Sequence, residues 1–248
     1  STSYSNGCNA GYTSFARLMD EQVRIYPSLM HVFSAGNSGY YDCGYGAGPG
    51  WGNVTGGHKI GKNVIAVGNT NYKDVLSASS SRGPAHDGRI KPDICAKGSD
   101  VYSTLDPNDY RTASGTSMAC PGVAGSLAQL YHAYKELNGG AYPNSALMKA
   151  LILNTADDIG NPGPDYQHGW GRINISRAVK LLEGNSYIQD SVDQGDVNDH
   201  NISVPAGTSQ IRVMVYWNDF EASVNTTKAL VNDINIQLID PLSTAYNP

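Results

Sequence analysis

Two short apolar runs constrain this chain more than any other feature: "LMHVFSA" at 29–35 and "NVIAVG" at 63–68. Each is too short for an ordinary helix, and the second is rich in β-branched residues. Both therefore read as buried strands. "DICA" at 93–96 and "VYSTL" at 101–105 are weaker strand candidates. Helical periodicity lies between and beyond these runs. Residues 12–26 place Phe15, Leu18, Met19 and Val23 on one face. Residues 117–137 form a long helix with small residues in its first half. Residues 144–156 form another, capped by Asn144 or Ser145, and "ISRAVKLLE" a third, stopped by Gly184. Short apolar strands separated by helices predict an α/β fold, a parallel sheet with helices on its faces.

The texture changes after Gly184. "HNISVPAG", "QIRVMVYW" and "DINIQLIDP" alternate apolar and polar residues between Pro, Gly and Asn turns. That pattern predicts an antiparallel β-domain over 185–248, following an α/β domain over 1–184. Three or four such strands fall short of the roughly seven of a β-sandwich. The opening "STSYSNG" reads as domain interior, so the expectation is a chain cut at both ends. The net charge is −5 and no Lys/Arg cluster occurs, which excludes nucleic acid as a partner. No apolar run approaches a membrane span. With 28 Gly and 16 Tyr but little charge, the composition suits a loop-rich extracellular enzyme. Four cysteines are too few for a disulfide scaffold and none has zinc-ligand spacing. Cys8 and Cys43 sit in Gly-rich loops where a secreted protein could bridge them; Cys95 and Cys120 sit among apolar residues.

Chemistry points first to "SGTSMACPG" at 114–122, where a small-residue loop enters the long helix. A helix start offers unpaired N–H groups and a partial positive charge, so the Ser117 oxygen stands beside ready-made anion stabilisation. A plain helix cap is the alternative for that serine alone. "HVFSAGNSG" places Asn37 just beyond a strand's carboxyl end, where open α/β sheets hold their sites. There its amide could donate to an oxyanion; a turn Asn beside Gly36 is the plainer use. "SSSRGPAHDGRIKPDICAKG" at 79–98 contains turn formers leading into a strand.

Together these segments resemble the subtilisin-like serine proteases. "GTSMACP" resembles the nucleophile segment, "FSAGNSG" the oxyanion-asparagine segment and "SSRGPAHDGRIKPD" the long loop before the nucleophile. "HGWGRINISRAVKLL" resembles the end of the catalytic domain. The resemblance covers roughly residues 1–183, and the tail resembles the jelly-roll-like β-sandwich that follows the catalytic domain in some bacterial members. It implies a subtilisin-like sheet truncated at its N-terminal side, Ser117 as nucleophile and Asn37 as oxyanion donor. It also implies that Ser3, Tyr4 and Ser5, with Ser34, Ala35 and Gly36, flank substrate and line the pocket for the residue before the cleaved bond. Ser5 stands where glycine is usual, Lys97 where proline is usual and Cys120 where threonine or another small residue is usual. Packing accounts for Cys120 better than thiol chemistry. No cofactor is implied with certainty. Structural calcium is common in the family, and "DVNDHN" and "NDINIQLID" hold candidate oxygens, although solvated loops account for both.

The resemblance places an aspartate and a histidine ahead of Asn37. No His-Gly-Thr-His motif occurs anywhere in the 248 residues. His31, the sole histidine before Asn37, falls inside a predicted strand, and His58, His86, His132, His168 and His200 lack the expected context. The intact Ser117 and Asn37 segments imply a serine endopeptidase whose base lies in a missing N-terminal part of the same catalytic domain. Such a fragment is expected to be inactive alone, acting on protein or peptide substrates outside the cell only when complete. The alternative is a catalytically dead peptide-binding or surface interaction module on the same scaffold.

Overall fold

The computed structural model describes residue 8 and residues 11–44 and 47–248; Ser3, Tyr4 and Ser5 lie outside the described residues. The elements run α1 (Ser14–Ile25), β1 (Val32–Ser34), a 3₁₀ turn (His58–Ile60), β2 (Ile65–Thr70), β3 (Ile94–Lys97), β4 (Val101–Leu105) and β5 (Asp109–Ala113). Then come α2 (Thr116–Leu137), α3 (Ser145–Asn154), α4 (Ile175–Glu183), β6 (Leu238–Ile239) and β7 (Ala245–Tyr246). β1, β2 and β3 form a parallel sheet in that order, with Val32 opposite Ile65 and Val67 opposite Ile94. β4 and β5 close an antiparallel hairpin ahead of α2.

Period-two alternation in the strands divides the core. Val32, Ile65, Val67, Ile94 and Ala96 point to α2, and α3 and α4 pack into the same cluster. Ala66 points the other way, toward Ala35, Val54, Ile60 and Ala85. The 3₁₀ turn covers that second face, and α1 packs on the turn. The small residues at the start of α2 let it lie close on the sheet: Ala119 and Cys120 are fully buried, and Cys120 Sγ lies 3.5 Å from the Val32 carbonyl oxygen. Cys120 is thus a packing residue, as its surroundings predict.

An ion cluster ties β2, β3 and α3 together. Asp93 accepts from Lys91 Nζ at 2.6 Å and Lys149 Nζ at 2.9 Å, and the Ala66 N–H donates to it at 2.7 Å. Lys149 also donates to the carbonyls of Lys62 and Val64. Burial pushes the Asp93 pKa up, but the two ammonium groups outweigh it and hold the carboxyl below its ordinary value.

Two local expectations need correction, and one strand carries no signal in the sequence. The buried stripe of α1 is Ala16, Asp20 and Val23, continuing Tyr12, whereas Phe15 and Leu18 are exposed. A polar contact sets that rotation: Asp20 accepts from Tyr12 Oη at 2.7 Å and from the N–H groups of Lys62 and Asn63. Burying the carboxylate with three donors outweighs burying two apolar side chains beside it. The β5 strand carries no apolar alternation that would mark it in the sequence; its hairpin partner supplies its hydrogen bonds. In the tail, no strand occurs at 199–217 among the described residues, and only the short β6–β7 pair forms within and after "DINIQLIDP". Ile202, Val204, Ile211 and Val215 stay exposed, and among the described residues no second sheet covers them. Part of the tail docks on the α/β layer instead. Ala222 and Ala229 pack with Tyr12 and Ala16, and Lys62 Nζ bonds the Phe220 and Ala229 carbonyls and pairs with Asp219 at 2.8 Å.

Candidate active site

The carboxyl ends of β1 and β3 converge on the start of α2. β1 runs out through Ala35 and Gly36 to the exposed Asn37. β3 runs out to Gly98, whose carbonyl accepts from the Gly115 N–H at 2.9 Å. Gly98 has to be glycine. A Cβ there would lie 2.5 Å from the Gly115 carbonyl oxygen and 2.8 Å from the Ala119 nitrogen. The missing side chain is what lets the first turn of α2 press onto the strand end.

Asn37 closes the junction. Its Oδ1 accepts from the Thr116 N–H at 3.0 Å and from Thr116 Oγ1 at 3.1 Å. Thr116 Oγ1 in turn accepts from the Gly36 N–H at 3.2 Å. Two donors on one oxygen fix the orientation of the carboxamide, so its NH₂ is a donor directed away from Thr116. A Cβ on Gly115 would stand 3.2 Å from Asn37 Nδ2, which places that amide against the residues leading into Ser117. Ser117 is half-buried in the first turn of α2, where backbone N–H groups have no partner within the helix. Pro121, four residues on, removes the N–H that the Ser117 carbonyl would receive in a regular helix.

Asn37 is therefore held on Thr116, the residue before Ser117. Ser34 and Ala35 are buried and Gly36 is half-buried; their backbone is held by Ala35 N–H to Val67 O and Ser81 N–H to Gly36 O, both 2.9 Å. Thr116, which joins the two loops, was not singled out from the sequence, although its place beside Ser117 was a signal. The histidines are engaged elsewhere. His31 Nε2 meets Gln22 Oε1 at 2.9 Å and its ring stacks on Phe33, whose other neighbour is His58. Burial, with the positive charge of Lys59 and the neighbouring His31, lowers the His58 pKa to about 4, so its ring is neutral near pH 7. The His168 N–H donates to Asp165, and His200 lies 3.5 Å from Asp190. His86 and His132 are exposed.

Among the described residues no group of three His, Cys, Asp or Glu side chains could hold a metal. Side chains in the two segments named as calcium candidates are engaged with other groups of the chain. Asn198 donates to Asp190 and to the Ser191 carbonyl, Asn232 to Asp219, and Asp233 lies beside Lys228. Cys8 and Cys43 form a disulfide with a Cα–Cα distance of 5.2 Å, and no helix among the described residues is long and apolar enough to cross a membrane.

The parallel sheet packed on α2, with Ser117 in that helix's first turn and Asn37 bonded to the adjacent Thr116, is a fold of the subtilisin class. Residues 2–171 match the sequence profile of the subtilase (peptidase S8) family, and the chain belongs to that family. The PII-type proteinase of Lactococcus lactis subsp. cremoris is 34% identical over 140 residues, covering 49% of this chain and 7% of the proteinase. The human membrane-bound transcription factor site-1 protease is 34% identical over 131 residues, 50% of this chain and 12% of that protein. The matches thus span about a tenth of the length of those relatives. Among solved structures, the CspB protease of Clostridium perfringens matches with 30% identity and a TM-score of 0.50, over 55% of this chain and 30% of that one. The patellamide maturation protease PatA matches with 25% identity and a TM-score of 0.52, over 66% and 54%.

Proposed function

We propose that this chain is the Ser117 and Asn37 part of a secreted subtilisin-type serine endopeptidase. Residues 1–184 belong to its catalytic domain and residues 185–248 open a β-sandwich. The observation carrying this reading is the clasp of Asn37 Oδ1 on Thr116, which fixes the carboxamide beside the start of α2 and leaves its NH₂ as a donor directed away from Thr116. Ser117 Oγ attacks the scissile carbonyl while a histidine takes its proton. The Asn37 amide and the Ser117 N–H receive the oxyanion. The histidine then protonates the leaving amine as the C–N bond breaks, and water hydrolyses the acyl-serine. Ser34, Ala35 and Gly36, and by the family resemblance Ser3, Tyr4 and Ser5, flank the substrate. The base and its aspartate come from residues outside these 248, in a missing N-terminal part of the same domain, so these residues alone turn over no peptide. In a member of this family, loss of a single partner costs up to about 10⁶ in turnover. The Cys8–Cys43 disulfide supports an oxidising, extracellular setting.

A serine-directed fluorophosphonate probe tests the reading in the full-length protein. Labelling that disappears in Ser117→Ala supports it. An unlabelled, folded full-length protein that still binds peptides identifies a catalytically dead binding module instead.

A further inference from the structure

Four lysines of this fold are buried: Lys59, Lys62, Lys91 and Lys149. Three of them stand on a carboxylate, Lys62 on Asp219 at 2.8 Å, Lys91 on Asp93 at 2.6 Å and Lys149 on Asp93 at 2.9 Å. Lys59 is 1% exposed and forms no ion pair among the described residues. Its Nζ carries three donors and has, among the described residues, one hydrogen bond, to the Ala35 carbonyl at 3.2 Å. Burying an ammonium without a counter-charge is costly, and such groups are ordinarily paired or neutralised.

The location gives that cost a use. A Cβ on Gly36 would stand 3.3 Å from Lys59 Nζ and 2.8 Å from Ser81 Oγ, so the ammonium and the hydroxyl both lie against the bare side of Gly36. Ser81 Oγ accepts from the Ser38 N–H at 3.1 Å and keeps its own O–H as a donor. A cation and a hydroxyl donor thus sit beside residues 35–36, one residue from Asn37. A carboxylate accepts from both groups and supplies the missing charge.

We infer that Lys59, with Ser81, selects substrates that carry Glu or Asp immediately before the scissile bond. The inference rests on the proposed peptidase reading, in which Ser34, Ala35 and Gly36 line the pocket for that residue. Burial lowers the Lys59 pKa to about 8, so the free protein carries the cation below that pH and loses it above. The acidic preference is therefore largest at neutral pH and fades as the pH rises through about 8.

The test uses the full-length protein and fluorogenic peptides identical except for Glu, Gln, Leu or Lys before the cleaved bond. The expected kcat/KM for Glu exceeds that for Gln by about tenfold or more, and Lys59→Met lowers the Glu-to-Leu ratio by about 100-fold. A ratio is insensitive to the fraction of variant that folds. If the variant cleaves nothing, the wild-type ratio measured from pH 7 to pH 10 decides, and a ratio independent of pH overturns the inference. Cleavage of all four peptides with no preference for Glu overturns it too, as does an equal loss on every peptide in Lys59→Met; the peptidase reading survives both results. If no peptide is cleaved and none binds to the Ser117→Ala protein by fluorescence polarisation, both readings fall.

Discussion

Replacing Asp93 by Asn removes a buried negative charge and leaves the shape almost unchanged. Two ammonium groups depend on that charge, Lys91 at 2.6 Å and Lys149 at 2.9 Å, and both lysine side chains are 2% exposed. An asparagine oxygen can still accept from one of them, but the charge balance of the cluster moves from +1 to +2. Breaking a buried pair by removing one partner costs about 3–5 kcal/mol, because the remaining charge stays buried. Set against a total of about 5–15 kcal/mol, that is a large fraction. For a chain of this size, about 4 kcal/mol corresponds to a fall in Tm of about 10 °C. The measurement is guanidinium unfolding of the full-length protein at pH 7, followed by circular dichroism. The sign with pH follows from the depressed Asp93 pKa. Its contribution is fully present above the ordinary carboxylate range and is lost as the pH falls through the lower folded value. Asp93→Asn therefore flattens the acid limb of the stability curve as well as lowering it. The double variant Asp93→Asn, Lys149→Met should recover part of the loss, since it removes one stranded cation. A single variant within about 1 kcal/mol of wild type, with an unchanged acid limb, would refute the reasoning.

Asn37→Ala should lower turnover by roughly 10²–10³, the loss found for this donor in a member of the same family, with little change in KM; steady-state kinetics on one peptide checks it. It also strips the Thr116 N–H of its acceptor, so a drop of about 1 kcal/mol in stability should accompany the kinetic loss. Gly98→Ala drives a Cβ to 2.5 Å from the Gly115 carbonyl oxygen, so the start of α2 must shift and fluorophosphonate labelling of Ser117 should slow at least tenfold. Labelling at the wild-type rate would show that the contact is slack. Lys62→Met leaves Asp219 buried without its cation, so hydrogen exchange at Val231 and Asn232, whose N–H groups bind Asp219, should quicken by about 100-fold or more.

The legible parts of the fold are those whose pattern is local. α2, α3 and α4 lie within a residue or two of their predicted spans, because small-residue packing, the Asn144 cap and Gly184 are all written in adjacent positions. The face of α1 was illegible because Asp20 is buried by donors from Tyr12, Lys62 and Asn63, two of them over forty residues away. At the site, Ser117 and Asn37 were legible as motifs, but the bridge through Thr116 was not, since it depends on two strand ends meeting one helix start. Lys59 was the least legible. In "GGHKIGKN" a lysine reads as a solvated loop residue, and nothing local says that its ammonium turns inward to the Ala35 carbonyl.

Residues 57–64 separate the buried charges that the fold itself needs from the one that it does not. Lys62 and Asn63 face the tail: Lys62 holds Asp219, and Asn63 exchanges hydrogen bonds with the Asp219 backbone at 2.8 and 3.0 Å. The carbonyls of Lys62 and Val64 accept from Lys149, which in turn rests on Asp93. Every cation in that chain of contacts meets a carboxylate, so folding alone accounts for each of them. Lys59 belongs to the same segment and is as deeply buried, yet among the described residues it meets a carbonyl and no carboxylate. If its role were to secure the strand end, an uncharged donor could make the same bond to Ala35 without the cost of desolvating a charge. The charge is the part that packing does not explain, and it lies against Gly36, the neighbour of the asparagine that clasps the start of α2.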